Sequence, residues 1–275
     1  MKRVYLTKEE RQACSLRLLK HLDSFCLSRS IRYSLSGGTL LGAVRHGGFI
    51  PWDDDVDVEL PRPDYNRFVT EFADSYGQYK CYAPEKGNSM ITYARLCDMV
   101  ETGSIPYTPW CKEETGIYID VFPVDALPDD YNDYEDLATN LHHLVFDVLY
   151  HRRGATVPIT KELGTMRIIK TLGKRLLYGR NDVDKLLESI LMILRERDYN
   201  SATHVGQIAY PMYWKGKFLK KEIYESYTRI RFEDSEFYSV SKFELMLKAL
   251  YGDYMKLPPE KDRVPAHTEH LFYWR

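Results

Sequence analysis

The chain has 275 residues, 44% of them hydrophobic and 28% charged, with only 16 Gly and 13 Pro. That composition supports a packed core and excludes collagen-like, disordered and low-complexity chains. A balance of 38 Lys and Arg against 40 Asp and Glu leaves a formal net charge of -2, which argues against a generic nucleic-acid-coating protein.

Thr7 and Glu10 form a capping box, and Cys14, Leu18, Leu22, Phe25 and Cys26 follow at helical spacing, which predicts a first helix to about Arg29. Ile31 to Leu35 alternates apolar and polar residues and runs into Ser36-Gly37-Gly38, a strand entering a tight glycine turn. Thr39 to Arg45 reads as a short helix. After Gly47-Gly48, Val56, Val58 and Leu60 alternate with Asp55, Asp57 and Glu59, so one strand carries an apolar face and a carboxylate face. A helix over Asp64 to Ser75 and strands over Met90 to Leu96 and Ile117 to Phe122 complete a mixed α/β first half, residues 1–130.

Residues 131–275 are predicted to be mainly helical and packed on that core. Leu137, Leu141, Leu144, Val145 and Val148 line one helix, and Val183, Leu186, Leu187, Ile190 and Leu194 another. Strands follow at Ile208 to Tyr210 and Tyr227 to Phe232, then a helix capped by Ser241 and Glu244, then a proline-containing tail. Lys161 to Arg180 carries six basic residues against Glu162, interleaved with leucines and isoleucine. This is a basic amphipathic pattern that fits either an anionic membrane surface or the protein's own core.

The longest apolar runs, such as Ile190 to Leu194, fall far short of the roughly 18 residues that span a bilayer. Charged Lys8, Glu9, Glu10 and Arg11 stand where a signal peptide would place its apolar region, so a cytoplasmic location is expected, with the inner membrane face as a peripheral contact. Cys14, Cys26, Cys81, Cys97 and Cys111 contain no CxxC pair and read as reduced thiols. Together with His142, His143 or His151 they lack structural-zinc spacing.

The chemistry concentrates between Ser36 and Tyr65. Backbone N–H groups at Gly37, Gly38 and Thr39, at a glycine turn opening a helix, suit phosphate oxygens. Asp55 and Asp57 project from one strand face and can share divalent cations, with a solvated acidic loop as the alternative. An EF-hand fails on position, because Val58 stands where its glycine is required. Asp120 sits in an otherwise apolar run and needs a donor, Arg95 for one, or a metal. Asp125 reads as a turn residue before Pro128. Arg45 and Arg95 are candidate phosphate clamps, with carboxylate pairing or a surface role as the alternative, and His46 is a candidate lid. A quaternary ammonium would need ring faces, for which Trp52, Tyr118, Trp110 and Tyr210 are placed near the motifs.

The segments SGGTLLGAVRHGGFIPWDDDVDV, YARL at Tyr93 to Leu96, GIYIDVFPVD and LKALYGDYMKLPPEK, in that order, resemble the LicD family, which includes phosphocholine transferases and is related to the fukutin-type transferases. The resemblance implies a polymerase β-like nucleotidyltransferase core with a mixed sheet. It also implies transfer of a phospho-alcohol, commonly phosphocholine, from a CDP-alcohol such as CDP-choline to a sugar hydroxyl of a cell-surface glycan or teichoic-acid-type precursor, with release of CMP. By motif position it gives a metal role, for Mg²⁺ or Mn²⁺, to Asp55, Asp57 and Asp120, and Asp57 or Asp120 would draw off the hydroxyl proton. Two further readings stay open: a nucleotidyltransferase that leaves a nucleoside monophosphate on its acceptor, and a catalytically silent binding member.

Overall fold

A computed structural model of the chain describes residues 3–72, 77–105, 110–156, 180–211, 216–264 and 271–275. After a short strand β1 (Val4–Tyr5), helix α1 (Lys8–Arg29) opens on the expected capping box: Thr7 Oγ1 accepts from Glu10 N and the Glu10 side chain accepts from Thr7 N. It buries Leu18, Leu19, Leu22, Phe25 and Cys26, and it stops at Ser30, whose φ of 52° is left-handed. Next come β2 (Ser34–Leu35), α2 (Gly37–His46), β3 (Asp57–Pro61) and α3 (Arg62–Glu71). They are followed by β4 (Tyr79–Tyr82), β5 (Ala94–Asp98), β6 (Thr102–Ile105) and β7 (Tyr118–Ala126).

A long helix α4 (Tyr131–Thr156) and α5 (Arg180–Arg195) then pack together. The chain continues through β8 (His204–Gly206), β9 (Leu219–Lys220), the hairpin β10 (Tyr227–Phe232) and β11 (Ser235–Val240), α6 (Phe243–Tyr251) and β12 (Leu271–Trp274).

The main sheet runs β2-β3-β7-β5-β4, and β8 and β9 extend it from the far end of β7. β3 and β7 are parallel and every other pairing in this sheet is antiparallel, so the sheet is mixed. A second sheet, β1-β12-β6, ties both ends of the chain to the first half. The period-2 alternation of strands puts Val58, Leu60, Leu96, Ile119 and Val121 into a core shared with α1 to α3 and the hairpin. Cys97 and Phe122 join the opposite core, with Leu141, Val145, Leu187 and Ile190 from α4 and α5. Both sheet faces are covered, and the polar residues that remain on the second face are therefore conspicuous.

Local hydrogen bonding explains where the elements depart from expectation. Only Ser34 and Leu35 pair as a strand, because Ile31 N closes α1 on Cys26 O and Arg32 N donates to Asp64 Oδ1. Ile208 to Tyr210 is not a strand: the Ala209 carbonyl accepts from Thr92 Oγ1 and the Tyr210 carbonyl from Lys217 Nζ. Ser241 does not cap α6; its N–H donates to Ser226 O beyond the hairpin ladder, and the helix starts one residue later than that cap requires, with Lys242 as N-cap. Asp125 is no turn residue. It is fully buried on β7 and accepts from Arg62 Nε at 2.5 Å and from Arg62 Nη2 at 2.8 Å. Residues 161–179 of the basic amphipathic stretch lie outside the described residues.

Candidate active site

Strand register builds the centre of the site. Asp57 on β3 stands beside Asp120 on parallel β7, and Asp120 stands beside Arg95 on antiparallel β5. Their apolar sequence neighbours anchor the strands from the other face, so the three side chains share one face of the sheet. Asp55 precedes β3 and Glu59 follows two residues after Asp57, which extends the carboxylate row.

The glycine turn closes over this row from the α2 side. Gly37 has a φ of 51°, and a Cβ added there would lie 3.0 Å from Asp57 Oδ2; at Gly38 it would lie 2.5 Å from Asp53 Oδ2. Glycine is thus required both for the turn and for the close approach of two carboxylates. Thr39 Oγ1 accepts from Asp57 N at 2.9 Å and Ser36 N donates to Asp57 O at 3.0 Å, which stitches the start of α2 to the start of β3. Ser36 Oγ does not cap α2; it donates to Glu59 Oε2 at 2.9 Å, and Tyr224 Oη donates to Glu59 Oε1 at 2.8 Å.

These carboxylates are electrostatically loaded. Burial, followed by the charges of Asp55 and Asp54, pushes Asp53 up to about 8. Burial, with Asp55, Asp120 and Asp53 next, holds Asp57 well above the usual carboxylate range. Burial alone lifts Glu59, to about 7, against the bonds from Tyr224 and Ser36. Like charges drawn together out of water favour protonation or a cation.

Arg95 neutralises Asp120, its Nε donating to Oδ1 at 2.6 Å, and Tyr93 Oη donates to Oδ2 at 3.4 Å. The guanidinium carbon lies 3.9 Å from the Tyr118 ring centroid and 4.7 Å from that of Trp110. Two of the rings considered for a quaternary ammonium therefore face the protein's own cation. Tyr210 packs edge-on against Tyr93.

Arg45 is engaged by backbone, its Nη1 donating to the carbonyls of Tyr254 at 2.8 Å and Lys256 at 3.4 Å. It fastens the end of α2 to the segment after α6. His46 and Trp52 pack edge to face, with centroids 6.3 Å apart, and burial followed by the Arg45 charge keeps His46 below the ordinary histidine range. The structure therefore gathers Gly37, Gly38, Thr39, Asp55, Asp57, Asp120, Arg95 and Tyr118, while Arg45 and His46 end α2 and Trp52 packs on His46.

Two residues not singled out from the sequence belong here. Lys217 lies within electrostatic reach of Glu59 and Asp57, and burial pushes it down to about 8. Tyr251, at the end of α6, is raised by burial and then by Asp57, Asp53 and Asp55. Tyr251 falls inside the LKALYGDYMKLPPEK motif, which was the available signal; Lys217 had none.

The donor set fits a hard divalent cation, because it consists of carboxylate oxygens whose charge Arg95 offsets only at Asp120. Among the described residues, however, no three His, Cys, Asp or Glu side chains already stand as a closed ligand set.

Comparison with known proteins places this site in context. Residues 30–153, which contain the glycine turn, the carboxylates and Arg95, match the family described as LicD/FKTN/FKRP, nucleotidyltransferase domain. Over 97% of this chain and 98% of its relative, the sequence is 27% identical to the lipopolysaccharide cholinephosphotransferase LicD of Haemophilus influenzae. It is also 47% identical, over 17% of this chain and 10% of the relative, to the ribitol 5-phosphate transferase FKRP of Homo sapiens.

Proposed function

We propose that this chain, whose residues 30–153 match the LicD/FKTN/FKRP nucleotidyltransferase domain and whose relatives include a cholinephosphotransferase and a ribitol 5-phosphate transferase, moves phosphocholine from CDP-choline to a sugar hydroxyl of a cell-surface glycan precursor. The observation that carries this reading is the pairing of Asp57 with Asp120 on parallel strands directly beneath the Gly37–Gly38 turn.

Asp55, Asp57 and Asp120 are the residues that would hold Mg²⁺ or Mn²⁺. Such an ion supplies charge neutralisation at the diphosphate. The chain's own groups do the rest. The N–H groups at Gly37, Gly38 and Thr39 open α2 toward the phosphates, where the helix dipole favours negative charge. The acceptor hydroxyl oxygen attacks the phosphorus that carries the head group, the bridging P–O bond breaks, and its electron pair leaves with CMP. Asp57 takes the hydroxyl proton, because the oxygens of Asp120 are engaged by Arg95 and Tyr93. Tyr118 and Trp110 enclose Arg95, and the Arg263 guanidinium lies 5.6 Å from the Trp52 ring centroid, so choline methyl groups would have to compete with one of these cations for a ring face.

No helix among the described residues is long and apolar enough to cross a membrane. A lipid-linked acceptor would be met by peripheral contact at the inner membrane face.

The test is mass spectrometry of the protein incubated with Mg²⁺ or Mn²⁺ and, separately, CDP-choline, CDP-ethanolamine, CDP-glycerol and CDP-ribitol. CMP released from CDP-choline by the wild type and not by Asp57→Ala is the expected result. Release from another donor alone would replace the head group. A nucleoside monophosphate left on the acceptor would replace the reaction, and loss of both turnover and donor binding would leave a binding protein.

A further inference from the structure

Arg95 answers Asp120 and Arg11 answers Asp54, each by an ion pair. Lys217 relates to the carboxylate row differently. Among the described residues its hydrogen bonds go to uncharged acceptors, Gln207 Oε1 and the Tyr210 carbonyl, the latter at 3.2 Å; Tyr210 packs on Tyr93, whose Oη donates to Asp120 Oδ2 at 3.4 Å, and the Lys217 charge also reaches Glu59 and Asp57.

That position is built rather than incidental. A Cβ at residue 206 would lie 2.0 Å from the Lys217 carbonyl oxygen, so only glycine lets the segment leading into β9 close against β8. Gln207, which follows, is itself buried. The departure of Ile208 to Tyr210 from strand geometry leaves the Tyr210 carbonyl available to the ammonium. Among the described residues, two of its three N–H donors are thus aimed by neutral groups, which leaves one for a ligand.

An amine that served only to balance Asp57 or Glu59 would be expected to pair with one of them, as Arg62 does with Asp125. An amine held beside carboxylates but bonded to carbonyls keeps its charge for an incoming anion. Lysine, a compact point charge, suits a phosphate oxygen.

We propose that Lys217 contacts the donor, its ammonium taking a phosphate oxygen of the nucleotide-activated substrate on the Asp57 and Glu59 side of the site. This rests on the phosphotransferase reading above. The contact orients the donor and stabilises charge as CMP departs.

Calorimetric titration of CDP-choline and of CMP into wild type, Lys217→Met and Lys217→Arg tests it, alongside kcat and KM for CDP-choline and thermal unfolding of each protein. Lys217→Met should bind both nucleotides about tenfold or more weakly, with KM raised, and Lys217→Arg should recover part of the affinity. Equal binding and kinetics in wild type and Lys217→Met overturn the Lys217 role alone. So does a defect that tracks a lowered unfolding temperature and is not relieved by arginine. Wild-type protein that binds neither nucleotide overturns the phosphotransferase reading and the Lys217 role with it.

Discussion

Arg95 and Asp120 face each other across β5 and β7, and the guanidinium that bonds the carboxylate at 2.6 Å is also stacked 3.9 Å from the Tyr118 ring centroid. Both side chains are largely buried, 9% and 14% exposed. The rings fix the cation, and the cation fixes Asp120 beside Asp57.

Removing Arg95 therefore strands a buried charge. Arg95→Met should lower stability by about 3 to 5 kcal/mol and abolish turnover. Arg95→Lys keeps the charge but loses the planar fork and the stack, so it should lie between the two. Urea unfolding and CMP release measure both effects. An unchanged midpoint in Arg95→Met would show that Asp120 is held by other groups.

The glycine turn separates chemistry from folding. At Gly38 an added methyl meets a carboxylate oxygen of Asp53, an atom able to swing aside, so Gly38→Ala should disturb the acidic row more than the fold. Turnover should fall about tenfold or more, with an unfolding temperature within a few degrees of wild type. Gly37→Ala adds the strain of a left-handed backbone, about 1 to 2 kcal/mol, and should lose stability as well. Equal turnover in Gly38→Ala and wild type would place the reacting phosphate away from this turn.

How far the sequence revealed this arrangement depends on where each signal comes from. The capping box of α1, the glycine turn and the alternation around Asp55 and Asp57 are local, and each appears where its residues predict it. Strands β4 and β6 and the terminal strands β1 and β12 have no local signature, because short strands draw their order from partners far along the chain: Val4 pairs with Trp274, and Tyr79 with Asp98. Ser241 shows the opposite failure. Its local cap signal was sound, yet its N–H was claimed by Ser226. Asp125 carried only a misleading turn signal before Pro128 and Lys217 carried none, since the pairing of one with Arg62 and the approach of the other to the carboxylate row are tertiary events.

The carboxylate row implies a stability cost that a cation relieves. Burial and like charges raise Asp57, so its ionised form is disfavoured in the folded protein relative to the unfolded one. Without divalent cation at pH 8, Asp57→Asn should be at least as stable as wild type. With Mn²⁺ the wild type should gain several degrees in unfolding temperature and Asp57→Asn little or none. A wild type indifferent to Mg²⁺ and Mn²⁺, and less affected by them than the variant, would remove Asp57 from the ligand set.

A histidine remote from this row supplies an internal control on pH. His21 packs between Tyr79, with ring centroids 4.6 Å apart, and Phe72 at 6.0 Å, and burial holds it below the ordinary histidine range. The folded state then binds fewer protons there than the unfolded chain does. The stability His21 contributes is present above the unfolded value of about 6.5 and is lost as pH falls through that value toward the folded one. Asp53 and Glu59, raised to about 8 and about 7, work in the opposite direction, because the folded state holds their protons more tightly and gains on acidification. The net curve of the wild type therefore mixes the two signs, and the difference between wild type and His21→Gln isolates one. In urea unfolding from pH 7.5 to 5.5 the variant should gain on the wild type progressively as the pH drops; a constant difference across that range would mean the imidazole is solvated in both states.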